Sequence, residues 1–191
     1  MFPADKLVAS GGSIHCHLFE NPRTGLPRNV FWSITINFRS IEYDGDDWRC
    51  SMTCEWLTWP LRDWRELGGR SLDLKYGEGG SESSFYMSEH DIGKSTRLQI
   101  GARSGSTFDV AMEMAVYFSG YTGPDRNPSM VVRGRATVPF TGVIVVPENL
   151  SPNPDTPAKV SSAVGTYLDI TLLKPPERRG HAFWMEPLTG V

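Results

Sequence analysis

Apolar and polar residues alternate along most of the chain. In VFWSITINF the apolar side chains fall on every second position from Val30 to Phe38, and STFDVAMEMAVYF repeats the pattern from Phe108 to Phe118. Because successive side chains on a strand point to opposite faces, each segment is predicted to form a strand with one apolar face. Shorter segments of this kind lie at positions 14–18, 72–76, 98–102, 130–132 and 168–172. TGVIVVP is typical of a strand covered on both faces, and HAFWMEP of a last edge strand.

The stretch DWRCSMTCEWLTWPLRDW, residues 47–64, contains four of the six tryptophans. Its even positions from Trp48 to Trp56 are apolar, so we predict that these side chains face the core. On such a strand, the Cα atoms of Cys50 and Cys54 would lie roughly 13 Å apart. A disulfide needs about 4.4–6.8 Å. The spacing does not match a zinc site either, so both cysteines are predicted to be buried free thiols.

Helical signals are confined to two short segments. WPLRDWRELGG has Pro60 at a plausible first position and Gly68 as a stop, and DTPAKVSSAVG offers Thr156 as N-cap and Gly165 as C′ residue. The chain is expected to turn a corner at Pro60, and we expect Trp59 and Trp64 to pack beneath that corner, with an exposed aromatic platform as the alternative.

About ten strands separated by Gly-, Pro- and Asp-rich turns predict a single all-β domain over residues 1–191. The expected architecture is a two-sheet antiparallel β-sandwich with one or two short helices.

Composition and charge narrow the classes of function. A net charge of −3 provides no basic excess for a phosphate backbone, so no nucleic-acid partner is expected. No apolar run has the length of a membrane span, so no membrane association is expected. Three cysteines without framework spacing favour a reducing compartment, and the first residues lack the pattern of a secretory signal. The predicted location is the cytoplasm.

Two short motifs are candidates for binding a metal. His15 and His17 in HCH share one face of a strand and could both ligate a metal ion, which would suit a metal-dependent enzyme. The alternative is that they are two exposed polar residues. In EYDGDDW, the carboxylates of Asp44, Asp46 and Asp47 could bind calcium, whereas Asp-Gly between two alternating runs is also the signal of a hairpin turn.

A positively charged strand and the loop before it form the candidate partner-binding surface. Arg133 and Arg135 in VVRGRATV share a strand face, and the loop FSGYTGPDRNPS supplies Tyr121 and Arg126. Tyr and Arg are favoured at the centres of protein interfaces, so these four residues are the predicted anchors for a protein partner. An ordinary solvated hairpin is the alternative. The chain contains no nucleophile elbow, and we assign it neither catalytic residues nor a cofactor.

The segments DWRELGGRSLDL, SSFYMSEH and LQIG between Trp64 and Gly101 carry a family resemblance. They resemble the N-terminal part of small all-β bacterial immunity-type proteins, which are encoded beside secreted toxins. The region of resemblance covers about a fifth of the chain. The resemblance implies a non-enzymatic protein that binds and blocks a cognate toxin. A carbohydrate- or calcium-dependent binding module is a second hypothesis, based on the tryptophans and on the Asp44–Asp47 loop. The metal-dependent enzyme is a third.

Overall fold

The protein is mostly β-structure, which confirms the all-β class. The computed structural model describes residues 2–76, 80–87, 89–117 and 130–188. Within these ranges it contains one α-helix, α1 (Pro157–Gly165), and short 3-10 helices at Ala4–Lys6, Trp64–Leu67, Pro147–Asn149 and Ile170–Leu172. The strands of the described residues are β1 (Ala9–Asn21), β2 (Leu26–Phe38), β3 (Ile41–Tyr43), β4 (Asp46–Trp48), β5 (Ser51–Leu57), β6 (Ser71–Lys75), β7 (Glu82–Tyr86), β8 (His90–Ser104), β9 (Thr107–Val116), β10 (Met130–Val145), β11 (Glu177–Arg179) and β12 (Ala182–Met185).

Ten of these strands form one sheet, in which the series of strand pairings that begins at β1 leads back to β1. The order is β1-β2-β5-β7-β8-β9-β10-β12-β11, with β6 paired to β8, and β1 also pairs with β10. The β1–β10 pair is parallel, and the other described pairs are antiparallel. Strands β3 and β4 form a separate two-stranded ribbon. These pairings alone do not separate the strands into the two sheets of a sandwich, and that finer architecture stays a prediction.

Strand β10 makes the closure possible because its two halves pair with different neighbours. Its first half, up to Pro139, pairs with β9, and its second half pairs with β1 and β12. The sequence pattern predicted two separate strands here. In the second half Val143, Ile144 and Val145 are all buried, which confirms the prediction of a strand covered on both faces.

The core is built from the alternating residues of the long strands. Trp32, Ile34 and Ile36 of β2 are fully buried, and the apolar face of β9 is buried from Phe108 to Val116. The Sγ atom of Cys54 lies 3.8 Å from the Sδ atom of Met112, so β5 and β9 meet across the core.

Cys50 and Cys54 are free and buried, as predicted, and so is Cys16. Burial raises the pKa of the Cys50 thiol to about 11 and that of Cys54 to about 12. Burial also raises the pKa of Cys16. The thiols are therefore protonated at neutral pH, which is typical of structural rather than reactive cysteines.

Trp56 is the main departure from the predicted core face. Trp32 pairs with Leu57 and Ile34 pairs with Cys54, so Glu55 and Trp56 together lie opposite Ser33. Two residues opposite one define a β-bulge, and the bulge shifts the alternation by one position. Leu57 is consequently buried in the core, whereas Trp56 lies against Phe19 and Phe31 on the outer face.

The remaining differences concern short segments near the end of the chain and the corner around residue 60. The helix predicted from Pro60 is only the 3-10 helix Trp64–Leu67, with Asp63 as its N-cap. The strand predicted at 168–172 is a 3-10 helix instead, and β12 is not an edge strand because it pairs with both β10 and β11. In α1 the N-cap prediction is confirmed, since the Thr156 side chain accepts a hydrogen bond from the Lys159 N–H.

Trp64 packs beneath the corner as expected. Its ring stacks on Phe140 with centroids 5.1 Å apart, and it is 2% exposed. The Arg103 guanidinium lies over the ring, 5.8 Å from its centroid. Trp59 is partly buried against the same core. These contacts exclude an exposed aromatic platform formed by the two rings together.

Candidate functional site

A row of alternating charges crosses the outer face of four neighbouring strands. Strand register places Asp73 of β6 opposite Arg97 of β8, Arg97 opposite Glu113 of β9, and Glu113 opposite Arg133 of β10. The Arg97 Nε atom donates to Asp73 Oδ1 at 3.0 Å, and the Arg133 Nε atom donates to Glu113 Oε2 at 2.6 Å. We call this row the charged ladder.

The charged ladder is open to solvent. The exposed fraction is 63% for the Arg97 side chain, 69% for Arg133 and 44% for Glu113. Exposed ion pairs contribute only about 0–1 kcal/mol to stability. The ladder therefore adds little to folding, and its charged groups remain accessible to a partner.

A hollow lies beside the ladder because the next row of residues is small at its centre. In that row Gln99 of β8 faces Ala111 of β9, and Ala111 faces Arg135 of β10. The hollow over Ala111 has a volume of about 390 Å³. A second hollow of about 460 Å³ adjoins it and shares Gln99, Ala111 and Arg135 as lining residues.

Arg135 is the uncompensated charge of this surface. It is exposed, and within the described ranges it forms no ion pair, unlike Arg97 and Arg133. Three guanidinium groups thus surround a small apolar floor, with Glu113 as the acidic residue between two of them. Guanidinium groups bind carboxylates through two parallel hydrogen bonds, so the hollow is suited to an acidic side chain.

The structure brings together only part of the predicted partner surface. Arg133 and Arg135 lie on one exposed face, while Tyr121 and Arg126 fall outside the described residues. Sequence reasoning missed Arg97, Gln99 and Glu113, which complete the hollow. Their signal was present as the polar positions of alternating strands, but alternation does not indicate which strands become neighbours.

His15 and His17 lie side by side on the outer face of β1. Their ring centroids are 4.8 Å apart and their planes are nearly perpendicular. Burial, together with the neighbouring His15, lowers the pKa of His17 to about 4, and burial also lowers the pKa of His15. Both rings are therefore neutral at pH 7 and able to bind a metal. Among the described residues, however, no group of three or more His, Cys, Asp or Glu side chains is placed to hold a metal ion.

The acidic motif forms a hairpin turn between β3 and β4. Asp44 and Gly45 both have positive φ, 56° and 83°, as the commonest two-residue hairpin turn requires. Asp46 pairs with Tyr43, and Asp47 pairs with Glu42. Since Asp46 and Asp47 are successive strand residues, their carboxylates point to opposite faces of the ribbon. The turn accounts for the motif, and calcium binding there stays a prediction.

Comparison of the chain with protein-family models, with curated proteins and with solved structures found no match. Among the described helices, none has the length and apolar character needed to cross a membrane.

Proposed function

We propose that this protein is a non-enzymatic protein-binding module that uses the charged ladder and the hollow beside it as its contact surface. The single observation that carries the proposal is the exposed arginine arrangement around Ala111. Its ion pairs are too exposed to serve folding, and Arg135 has no acidic partner among the described residues. The partner is a protein that presents an acidic side chain to the hollow.

The resemblance of the segments between Trp64 and Gly101 supports a more specific form of this proposal. In this more specific proposal, the protein is an immunity-type protein that neutralises a cognate toxin in the bacterial cytoplasm. The three protonated, buried thiols fit a reducing compartment. The other two predicted anchors, Tyr121 and Arg126, precede β10 in sequence and lie outside the described residues, so their part in the surface stays a prediction.

The test is a comparison of three immobilised baits: the wild-type protein, R135A and R23A. Arg23 lies in the exposed turn between β1 and β2 and serves as the matched control. We expect a protein from the source cell to be retained by the wild type and R23A and to be lost by R135A. For the purified pair, R135A should lower the binding free energy by about 2 kcal/mol with an unchanged melting temperature. Absence of any such protein, or equal binding by R135A, would show that the proposal is wrong.

A further inference from the structure

A third hollow, separate from the two beside the charged ladder, lies on the outer face of β1, β2 and β5. Its volume is about 250 Å³, and its apolar walls include Phe31, Trp56 and Ile144. Polar side chains of His17, Ser33 and Glu55 also line it, as does Asn149 beyond the end of β10. A concave, mostly apolar site with a few convergent polar groups is typical of small-ligand binding.

The backbone of Trp56 is strained in order to reach this hollow. Its φ is +60°, a left-handed conformation that is an outlier for a bulky side chain. The bulge at Glu55 and Trp56 carries the ring out of the core, where the alternation of β5 would have placed it. Strained backbone conformations are frequent at functional sites, and so are bulges that re-orient a side chain. Such strain persists only where the surrounding structure maintains it.

Three aromatic rings form the apolar part of the site. The Trp56 ring lies 5.2 Å from Phe19 and 5.5 Å from Phe31, centroid to centroid, in edge-to-face geometry. The Phe19 and Phe31 centroids are 6.4 Å apart. These separations leave no room for a cation to be enclosed between the rings. They present instead a wall on which one further aromatic ring can pack.

Three polar side chains of the site, those of His17, Ser33 and Glu55, offer hydrogen-bond acceptors to the hollow. Ser33 is 3% exposed and lines the hollow, and its side chain forms no hydrogen bond with another described residue. The buried, unpartnered side-chain atoms of the described residues are Trp32 Nε1 and Trp64 Nε1, and Ser33 Oγ is not one of them, so water or a ligand in the hollow can reach this hydroxyl. His17 is neutral and presents one acceptor nitrogen, and Glu55 presents carboxylate oxygens. The arrangement favours a ligand that donates a hydrogen bond.

We propose that this hollow binds a single uncharged aromatic ring that carries a hydrogen-bond donor, as in a phenol or an indole. The ring packs against Phe31 and Trp56, and its O–H or N–H donates to the acceptors beside Ser33. Such a ring has two sources: a free small molecule, or a Tyr or Trp side chain of another polypeptide. The hollow does not overlap the charged ladder, so the two proposals succeed or fail independently.

Titration with p-cresol, monitored by backbone amide and indole N–H resonances, tests the site directly. We expect saturable shifts at Trp56, Phe31 and Ser33. Toluene has the same shape without the donor, and it should bind at least tenfold more weakly. The variant Y76A, which truncates an exposed tyrosine outside the hollow, should bind p-cresol as the wild type does.

Two variants separate ligand binding from folding. W56G removes the ring while its backbone accepts the positive φ, and p-cresol binding should fall at least tenfold. S33A retains the shape of the hollow and should weaken p-cresol binding by at least threefold without affecting toluene. Absence of saturable shifts in the wild type, or unchanged affinity in W56G, would overturn the proposal.

The source of the ring is decided by a third titration with N-acetyl-tyrosinamide. Affinity at least tenfold above that of p-cresol indicates that the site captures a tyrosine side chain together with its backbone. Equal or weaker affinity indicates a free phenolic molecule.

Discussion

Trp56 shows how one residue can depart from the pattern of its own strand. Its ring is apolar and falls on the core parity of β5, yet a bulge turns it outward at φ +60°. In an L-residue this conformation brings Cβ close to the following carbonyl oxygen, with a penalty of roughly 1–2 kcal/mol, which glycine avoids.

An alanine variant is usually more stable than the glycine variant at the same position, and the strain at Trp56 predicts the opposite order for W56A and W56G. W56A and W56G both lose the contacts with Phe19 and Phe31, but only W56A keeps a Cβ atom at positive φ. We expect W56G to be the more stable by about 1 kcal/mol in urea-induced unfolding. At Thr53, on the same strand with no positive φ, the glycine variant should be the less stable of the pair. If W56A equals or exceeds W56G in stability, the strain has been misjudged.

At the scale of elements, the backbones of β1 and β2 approach each other closely at Gly12. A Cβ atom there would lie 1.9 Å from the Thr35 carbonyl oxygen, whereas a Cβ atom at the neighbouring Gly11 would meet nothing within 4 Å. Both glycines have positive φ, so they share the conformational penalty and differ in the steric one. A backbone oxygen cannot move aside without opening the β1–β2 pairing.

This difference makes the two glycines a matched pair for substitution. G11A should lower the free energy of unfolding by about 1–3 kcal/mol through backbone strain alone. G12A should lower it by at least about 2 kcal/mol more, and it should also weaken amide protection along β1 and β2. Chemical denaturation and hydrogen exchange measure the two effects. Similar stability of G11A and G12A would show that the strands separate more easily than their packing indicates.

The charged ladder belongs to the same scale, since it exists only through strand register. Asp73, Arg97, Glu113 and Arg133 come from four strands, and each faces the next across a backbone pair. A slip of one residue in any of these pairs would turn the affected side chains to the other face. The buried apolar faces of β8 and β9 therefore hold the ladder in place, because the same slip would expose the core.

At the scale of the whole molecule, the histidine pair couples stability to pH. The pKa of His17 is about 4 in the folded state, below the ordinary value of 6.5, because burial disfavours the charged ring. The unfolded chain therefore takes up a proton below pH 6.5 that the folded chain does not. Stability is full above pH 6.5 and falls as the pH is lowered towards 4.

We therefore expect the free energy of unfolding to fall by about 1 kcal/mol between pH 7.5 and 5.5 on account of His17. His15 acts in the same direction, whereas Glu55, which lines the same hollow and whose pKa is raised by burial, acts in the opposite direction. Urea denaturation at the two pH values measures the loss. H17Q should reduce it, while H181Q, at an exposed position, should leave it unchanged. An equal loss in H17Q and the wild type would contradict this assignment.

Much of the fold was accessible from local pattern. Strand positions, the buried faces of β2 and β9, the free thiols, the N-cap of α1 and the Asp44–Gly45 turn all depend on residues within a few positions of one another. Strand alternation and turn chemistry act at that range, so the sequence determined them directly. The 3-10 helix at Ile170–Leu172 is an exception, since three alternating apolar residues suit more than one local conformation.

The candidate sites depend on contacts between segments that are far apart in the sequence. Which strands pair, how β10 divides between two sets of neighbours, and where β5 bulges are set by packing between segments far apart in the chain. The sequence by itself determined that Arg133 and Arg135 share an exposed face, because that follows from their spacing of two. Only the tertiary structure brought Arg97 and Glu113 beside them and turned Trp56 towards His17, because register and bulges are settled by burial of the whole core rather than by local preference.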